Sequence, residues 1–99
     1  MARWYEGQGY RVVDRNWRCR AGELDLIVQR GPVLAVCEVK TRSSSAFGSP
    51  LEAITAEKAA RVRRLAMGWL DEHPTQRAAL RIDVAGVLDG RVEVHEGVL

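Results

Sequence analysis

A chain of 99 residues, 46% hydrophobic and 28% charged, has the make-up of a folded protein and is expected to form one domain over residues 1–99. No apolar run approaches the ~20 residues that a membrane helix needs, and Met1–Tyr10 lacks a signal-like apolar stretch. These features predict a cytoplasmic protein with no membrane partner. A net charge of only +2 does not by itself announce a nucleic-acid partner.

The placement of charge says more than its total. Arginine supplies 13 of the 15 basic residues, and arginine forks suit phosphate oxygens. Arg11, Arg15, Arg18 and Arg20 form one cluster, and Lys58, Arg61, Arg63 and Arg64 form another; such clusters also occur as solvated faces. Cys19 and Cys37 have no metal-ligand or disulfide spacing and read as reduced, partly buried thiols. His73 and His95 read as isolated surface residues.

Ala2 to Glu6 is helical in character and stops at Gly7 or Gly9, as a glycine cap would make it. Under two turns of helix is not stable alone, so this piece reads as the end of a longer helix. Tyr10 to Trp17 has strand content. Glu23 to Val28 alternates, with Leu24, Leu26 and Val28 on one face and Glu23, Asp25 and Ile27 on the other. Val33 to Lys40 is a second strong strand, and Gln29-Arg30-Gly31-Pro32 supplies the turn of an antiparallel hairpin.

Thr41 to Pro50 is a serine-rich polar loop. Thr55 caps a helix that runs to about Asp71, with Val62, Leu65, Ala66, Trp69 and Leu70 as its apolar stripe. Pro74 lies beyond its end. Leu80 to Leu88 is a third strong strand, Asp89-Gly90 is a hairpin turn, and Arg91 to Glu96 is a short last strand with Val92 and Val94 inward. The fold class is α/β or α+β, with a mixed sheet flanked by helices.

The chemistry concentrates on the first hairpin. A turn centred between Gly31 and Pro32 sets Asp25 opposite Glu38 and Glu23 opposite Lys40. Opposed residues share a face, with Cβ atoms about 5 Å apart. Glu23, Asp25, Glu38 and Lys40 are therefore expected to form one polar patch, which a one-residue slip would destroy. The strand leading to Glu38 is apolar on both sides, as a central covered strand is. Two carboxylates at its end are partly desolvated and repel each other. A divalent cation relieves both costs, and Mg²⁺ commonly takes one or two protein carboxylates with water and phosphate oxygens. Lys40, two residues from Glu38, points to the same side. There it can hold the attacking water and offset charge on a phosphate. Only Lys40 and Lys58 are lysines in a chain that otherwise uses arginine, which marks both positions. Glu-x-Lys alone also occurs as a solvated ion pair.

Arg15-Asn16-Trp17-Arg18-Cys19-Arg20, Gly22-Glu23-Leu24-Asp25-Leu26-Ile27 and Val36-Cys37-Glu38-Val39-Lys40-Thr41-Arg42 together resemble the YraN family of small bacterial proteins. Phe47-Gly48-Ser49-Pro50, Glu52-Ala53-Ile54, Lys58 and Arg81-Ile82-Asp83-Val84 extend the likeness over essentially the whole chain. Members of that family are predicted endonucleases that resemble archaeal Holliday-junction resolvases, within the PD-(D/E)xK superfamily.

The resemblance implies a restriction-endonuclease-like fold. It implies Asp25 and Glu38 as ligands of Mg²⁺ or Mn²⁺, with the Val39 backbone carbonyl as a further ligand, and Lys40 as the residue serving the nucleophile. Lys58 and Glu23 become accessory candidates, and Asp83 a structural one. Arg18, Arg20, Arg42, Lys58 and Arg61 become the candidate DNA contacts. Branched DNA as substrate follows from the resemblance alone, and a homodimer is compatible with it. Members usually open with a longer helix carrying a Gly-Glu pair, whose glutamate Glu6 does not match. Two other functions stay open: a DNA-binding or partner-binding module without catalysis on the same fold, and a structural domain with a fortuitous Glu-x-Lys.

Overall fold

The computed structural model describes residues 1–42, 55–73, 79–88 and 90–97. The element order is α1 (Ala2–Gly7), β1 (Arg11–Cys19), β2 (Gly22–Arg30), β3 (Val33–Arg42), α2 (Ala56–Glu72), β4 (Ala79–Leu88) and β5 (Arg91–His95). The five strands form one sheet in the order β1-β2-β3-β4-β5. β3 and β4 run parallel, and the other neighbours are antiparallel. This is an α+β fold with a mixed sheet, compatible with the restriction-endonuclease-like architecture.

Local chemistry explains the element ends. Gly31, at φ +55°, and Pro32 make a two-residue turn between β2 and β3. The pairs Leu26↔Cys37 through Arg30↔Val33 follow the register expected from that turn. At the start of α2, Thr55 is extended and its Oγ1 accepts the Lys58 N–H at 3.2 Å, satisfying one of the helix's orphan donors. Gly9, at φ +88°, carries the chain from α1 into β1, and the Tyr10 N–H donates to the Tyr5 carbonyl at 3.0 Å.

Each face of the sheet has its own core. α2 lays Val62, Leu65, Ala66 and Trp69 on Leu24, Ile27, Leu34, Val36 and Ile82. On the other face Tyr5 and Tyr10 cover Leu26, Val28, Ala35, Cys37 and Ala85. β3 is thus covered on both sides, as its sequence predicts. The indole of Trp69 also donates to Asp14 Oδ2 at 2.8 Å, tying α2 to β1.

Asp83 is 0% exposed and is the buried charged residue among those described. Its carboxylate accepts from the Tyr5 hydroxyl at 2.7 Å, from two nitrogens of Arg81 at 2.8 and 2.9 Å, and from the Gly97 N–H at 3.0 Å. A buried carboxylate needs such partners, and this setting suits the structural role expected of Asp83.

Several expectations need correction. β2 does not alternate throughout: Leu24 joins the α2-side core with Ile27, whereas Leu26 and Val28 pack on the α1 side. Val92 is not inward but 39% exposed, because β5 is a short edge strand; Val94 is partly buried. β3 extends through Arg42, further than the loop start at Thr41 allowed. Cys37 is buried but Cys19 is exposed. His73 is half-buried and stacks on Trp69 with 3.9 Å between ring centroids, and His95 is half-buried with Nε2 2.9 Å from Glu93. The motifs at Phe47–Pro50 and Glu52–Ile54, together with Pro74 and Asp89, lie outside the described residues.

Candidate active site

Glu38 and Lys40 follow the apolar run of β3 onto its more open end. Two residues apart on a strand, they share the α2-side face. Their side chains pair there, Lys40 Nζ to Glu38 Oε1 at 3.4 Å, with 26% and 22% of the side chains exposed. They line a cleft of about 230 Å³ with Glu23, Lys58, Arg61, Val62 and Leu65. The end of β3, the start of β2 and the first turns of α2 therefore meet at one place. Its charged lining is two carboxylates and three cations, a balance suited to a group that is itself anionic.

Glu23 belongs to this cleft but does not pair with Lys40. Its carboxylate takes the Arg18 guanidinium at 3.1 Å across the β1–β2 hairpin. Gly22 permits the close seating of α2 here: a Cβ at that position would lie 3.3 Å from Leu65 and 3.5 Å from the Arg61 guanidinium, on a backbone with φ +149°. A side chain would crowd Leu65 and come into contact with Arg61.

Asp25 is elsewhere than expected. The β2–β3 ladder ends at Leu26↔Cys37, and beyond it Asp25 Oδ2 accepts the Val39 N–H at 2.9 Å. Asp25 borders a separate cavity of about 330 Å³ with Met1, Ala2, Arg15, Asn16, Leu26 and Val39, on the α1 side of the sheet. The single-face patch of four residues thus becomes three residues in one cleft and Asp25 between the strands. The irregularity on β2 is the reason. Asp25 and Glu38 still share a neighbour. Burial pushes the Cys37 thiol up to about 12, and the charges of Asp83, Asp25 and Glu38 add to the effect.

The candidate nucleic-acid contacts divide. Lys58 and Arg61 line the Glu38–Lys40 cleft and also an open groove on the outer side of α2, with Thr55, Glu57, Ala60 and Arg64. Arg18 is 78% exposed and ion-paired to Glu23, and Arg20 is exposed at the tip of the β1–β2 turn. The Arg42 side chain lies outside the described atoms. Arg11 and Arg15 do not extend one patch with Arg18: Arg11 donates to Gln29 at 2.9 Å, and Arg15 faces the Asp25 cavity.

Sequence reasoning missed Asn16, which has φ +48° and lines the Asp25 cavity. Its signal was present: asparagine is poor in strands and enriched where φ is positive.

With this geometry established, comparison with known proteins places the chain. Residues 1–87 match the model of the uncharacterised protein family UPF0102. A UPF0102 protein of Beutenbergia cavernae is 56% identical over 89 residues, covering 90% of this chain and 75% of its own length. Relatives from Frankia casuarinae and a Nocardioides species are 55% and 50% identical, covering 84% and 91% of this chain and 70% and 73% of their own lengths. The chain belongs to the UPF0102 (YraN) family. No helix among the described residues is long and apolar enough to cross a membrane.

Proposed function

We propose that the chain is a divalent-cation-dependent endonuclease that hydrolyses phosphodiester bonds in DNA. The observation that carries this reading is the Glu38–Lys40 pair, at the end of a strand buried on both faces and in a cleft shared with Lys58 and Arg61. The partial burial of both side chains, 26% and 22% exposed, supports reading them as a site rather than as a solvated surface pair.

Among the described residues no group of three or more His, Cys, Asp or Glu side chains is close enough to hold an ion. The donor set to be tested is the one that the family resemblance implies: Asp25, Glu38 and the Val39 carbonyl. Two carboxylates and a carbonyl are hard oxygen donors, and Mg²⁺ habitually keeps several waters and takes only one or two protein carboxylates. The residues fit that ion, or Mn²⁺, by chemistry. When bound, such an ion supplies a Lewis acid at the phosphate and makes water a better nucleophile. The protein's own groups do the rest. Lys40 holds the attacking water and offsets charge that builds on the phosphate. Lys58 and Arg61 grip phosphates next to the scissile one, and Arg18, Arg20 and Arg42 take the backbone further out. Branched DNA, a homodimer and a cytoplasmic site of action complete the reading.

One observation favours a second reading, a DNA-binding module without catalysis. Asp25 borders the α1-side cavity and gives one oxygen to the Val39 N–H, whereas Glu38 opens into the α2-side cleft and is paired with Lys40.

The deciding experiment incubates the protein with supercoiled, linear and four-way-junction DNA under Mg²⁺, Mn²⁺ or EDTA, alongside Lys40→Ala. Cleavage that needs the ion and vanishes in Lys40→Ala supports the nuclease. DNA binding without cleavage under every condition replaces it with the binding module.

A further inference from the structure

Asn16 is the non-glycine residue with positive φ among those described, and it lies within β1. The facing position on β2, between the pairs Arg15↔Leu26 and Trp17↔Leu24, belongs to Asp25. Pairing is in register on both sides of this point, yet the faces are exchanged across it. Trp17 and Leu24 pack on the α2 side, whereas Leu26 packs on the α1 side. Arg15 and Asn16 on one strand, and Asp25 and Leu26 on the other, all border the same α1-side cavity. In a regular strand, consecutive residues point to opposite faces. Asp25 would then project to the α2 side, opposite Leu26, and could not accept the Val39 N–H at 2.9 Å.

We propose that Asn16 is a positioning residue for Asp25: its left-handed backbone turns β1 over, β2 turns with it, and the Asp25 carboxylate is delivered to the Val39 amide. Asparagine suits the task because it enters this region at less cost than other side chains. The two strands stay in register, so the turn-over on one obliges a matching one on the other. The link from Asn16 to the Asp25–Val39 bond stands independently of the nuclease reading; its consequence for a bound cation rests on that reading.

The test compares Asn16→Gly, Asn16→Ala and Asn16→Val by amide hydrogen exchange. Glycine adopts positive φ freely, alanine does not, and a β-branched residue does so least. The Val39 amide is expected to stay protected in Asn16→Gly and to exchange about tenfold faster in Asn16→Ala, and faster again in Asn16→Val. The amides of the Leu26–Arg30 and Val33–Cys37 ladder should keep their wild-type rates. Unchanged Val39 protection in Asn16→Ala overturns the proposal. So does equal loosening of the whole ladder, and so does an Asn16→Gly protein that loses as much as Asn16→Ala. Titration with Mn²⁺, followed by the ion's electron spin resonance, is the second arm. Its affinity should fall in the same order, with Asp25→Asn as the reference for complete loss. A wild-type protein that takes up no Mn²⁺ sinks the nuclease reading, while the exchange data still decide the role of Asn16.

Discussion

The carboxylate of Asp25 takes the place of a ladder carbonyl: Oδ2 accepts the Val39 N–H at 2.9 Å immediately beyond the last β2–β3 pair. One side chain thereby closes the splayed end of a hairpin and stands beside a backbone carbonyl that could share an ion with it. The two roles separate by mutation. Asp25→Asn keeps an oxygen acceptor for the amide and removes the charge. Asp25→Ala leaves a partly buried N–H unpaired, which costs about 1–3 kcal/mol. Urea unfolding should therefore show Asp25→Asn near the wild type and Asp25→Ala below it. DNA cleavage should be lost in both. Equal stability of the two variants would show that the hydrogen bond is immaterial to the fold.

Lys58 and Arg61 connect the Glu38–Lys40 cleft to the groove on the outer side of α2. If the two line a phosphate path, Arg61→Ala weakens DNA binding and lowers the slope of log affinity against log salt by about 0.9, the value for one released phosphate contact. Arg18→Ala, which breaks an exposed pair with Glu23, should change stability by no more than about 1 kcal/mol. Titrations at several salt concentrations measure the slope. A slope unchanged in Arg61→Ala would remove this residue from the interface.

Trp69 carries both an apolar and a polar duty. It is the largest fully buried side chain, and its indole N–H donates to Asp14 at 2.8 Å. Trp69→Ala should cost about 3–5 kcal/mol, much of the margin of a protein this small. Trp69→Phe keeps most of the packing and loses the hydrogen bond, at about 1 kcal/mol. Denaturant midpoints at constant slope would establish the ranking Trp69, Phe, Ala. A Trp69→Phe variant as unstable as Trp69→Ala would move the weight from packing to the bond with Asp14.

What the sequence made legible follows from periodicity and local chemistry. The stripe Val62, Leu65, Ala66 and Trp69 lies on the sheet as its spacing requires, Thr55 caps α2, and the turn at Gly31-Pro32 sets the register of β2 on β3. Glu38 and Lys40 share a cleft because they sit two residues apart on one strand. The position of Asp25 was hidden, because alternation assumes a regular strand and β2 departs from it opposite Asn16. Such a departure leaves only a weak local mark, one asparagine among strand formers. The Tyr5–Asp83–Arg81 network was equally hidden, since it joins residues 78 positions apart. Local spacing carries no information about such a pairing.

That network yields a further prediction. Tyr5→Phe removes one donor from the buried carboxylate of Asp83 and leaves Arg81 and Gly97 in place. The expected loss is about 1–3 kcal/mol, read by thermal or urea unfolding. Asp83→Ala strips the Tyr5 hydroxyl and the Arg81 guanidinium of a common acceptor and should cost more than Tyr5→Phe. The reverse ranking would show that Asp83 is a burden on the fold rather than its organiser.

The two thiols should differ in reactivity and in their effect on stability at high pH. Cys19 is exposed and Cys37 is buried, so a maleimide should label Cys19 at once and Cys37 only on unfolding. Burial raises the Cys37 thiol from 9.0 to about 12. Between these values the folded protein keeps a proton that the unfolded chain releases. Stability is therefore fully present below about pH 9 and falls as pH rises toward 12, by about 1.4 kcal/mol per unit. Tyr5, also raised by burial from its ordinary value of 10.0, adds to the fall from that pH upward. In Cys37→Ala the decline should begin about one unit later, where Tyr5 alone drives it. Urea midpoints measured from pH 7 to 11 test this. An identical alkaline decline in the wild type and Cys37→Ala would mean that the thiol's burial does not contribute to it.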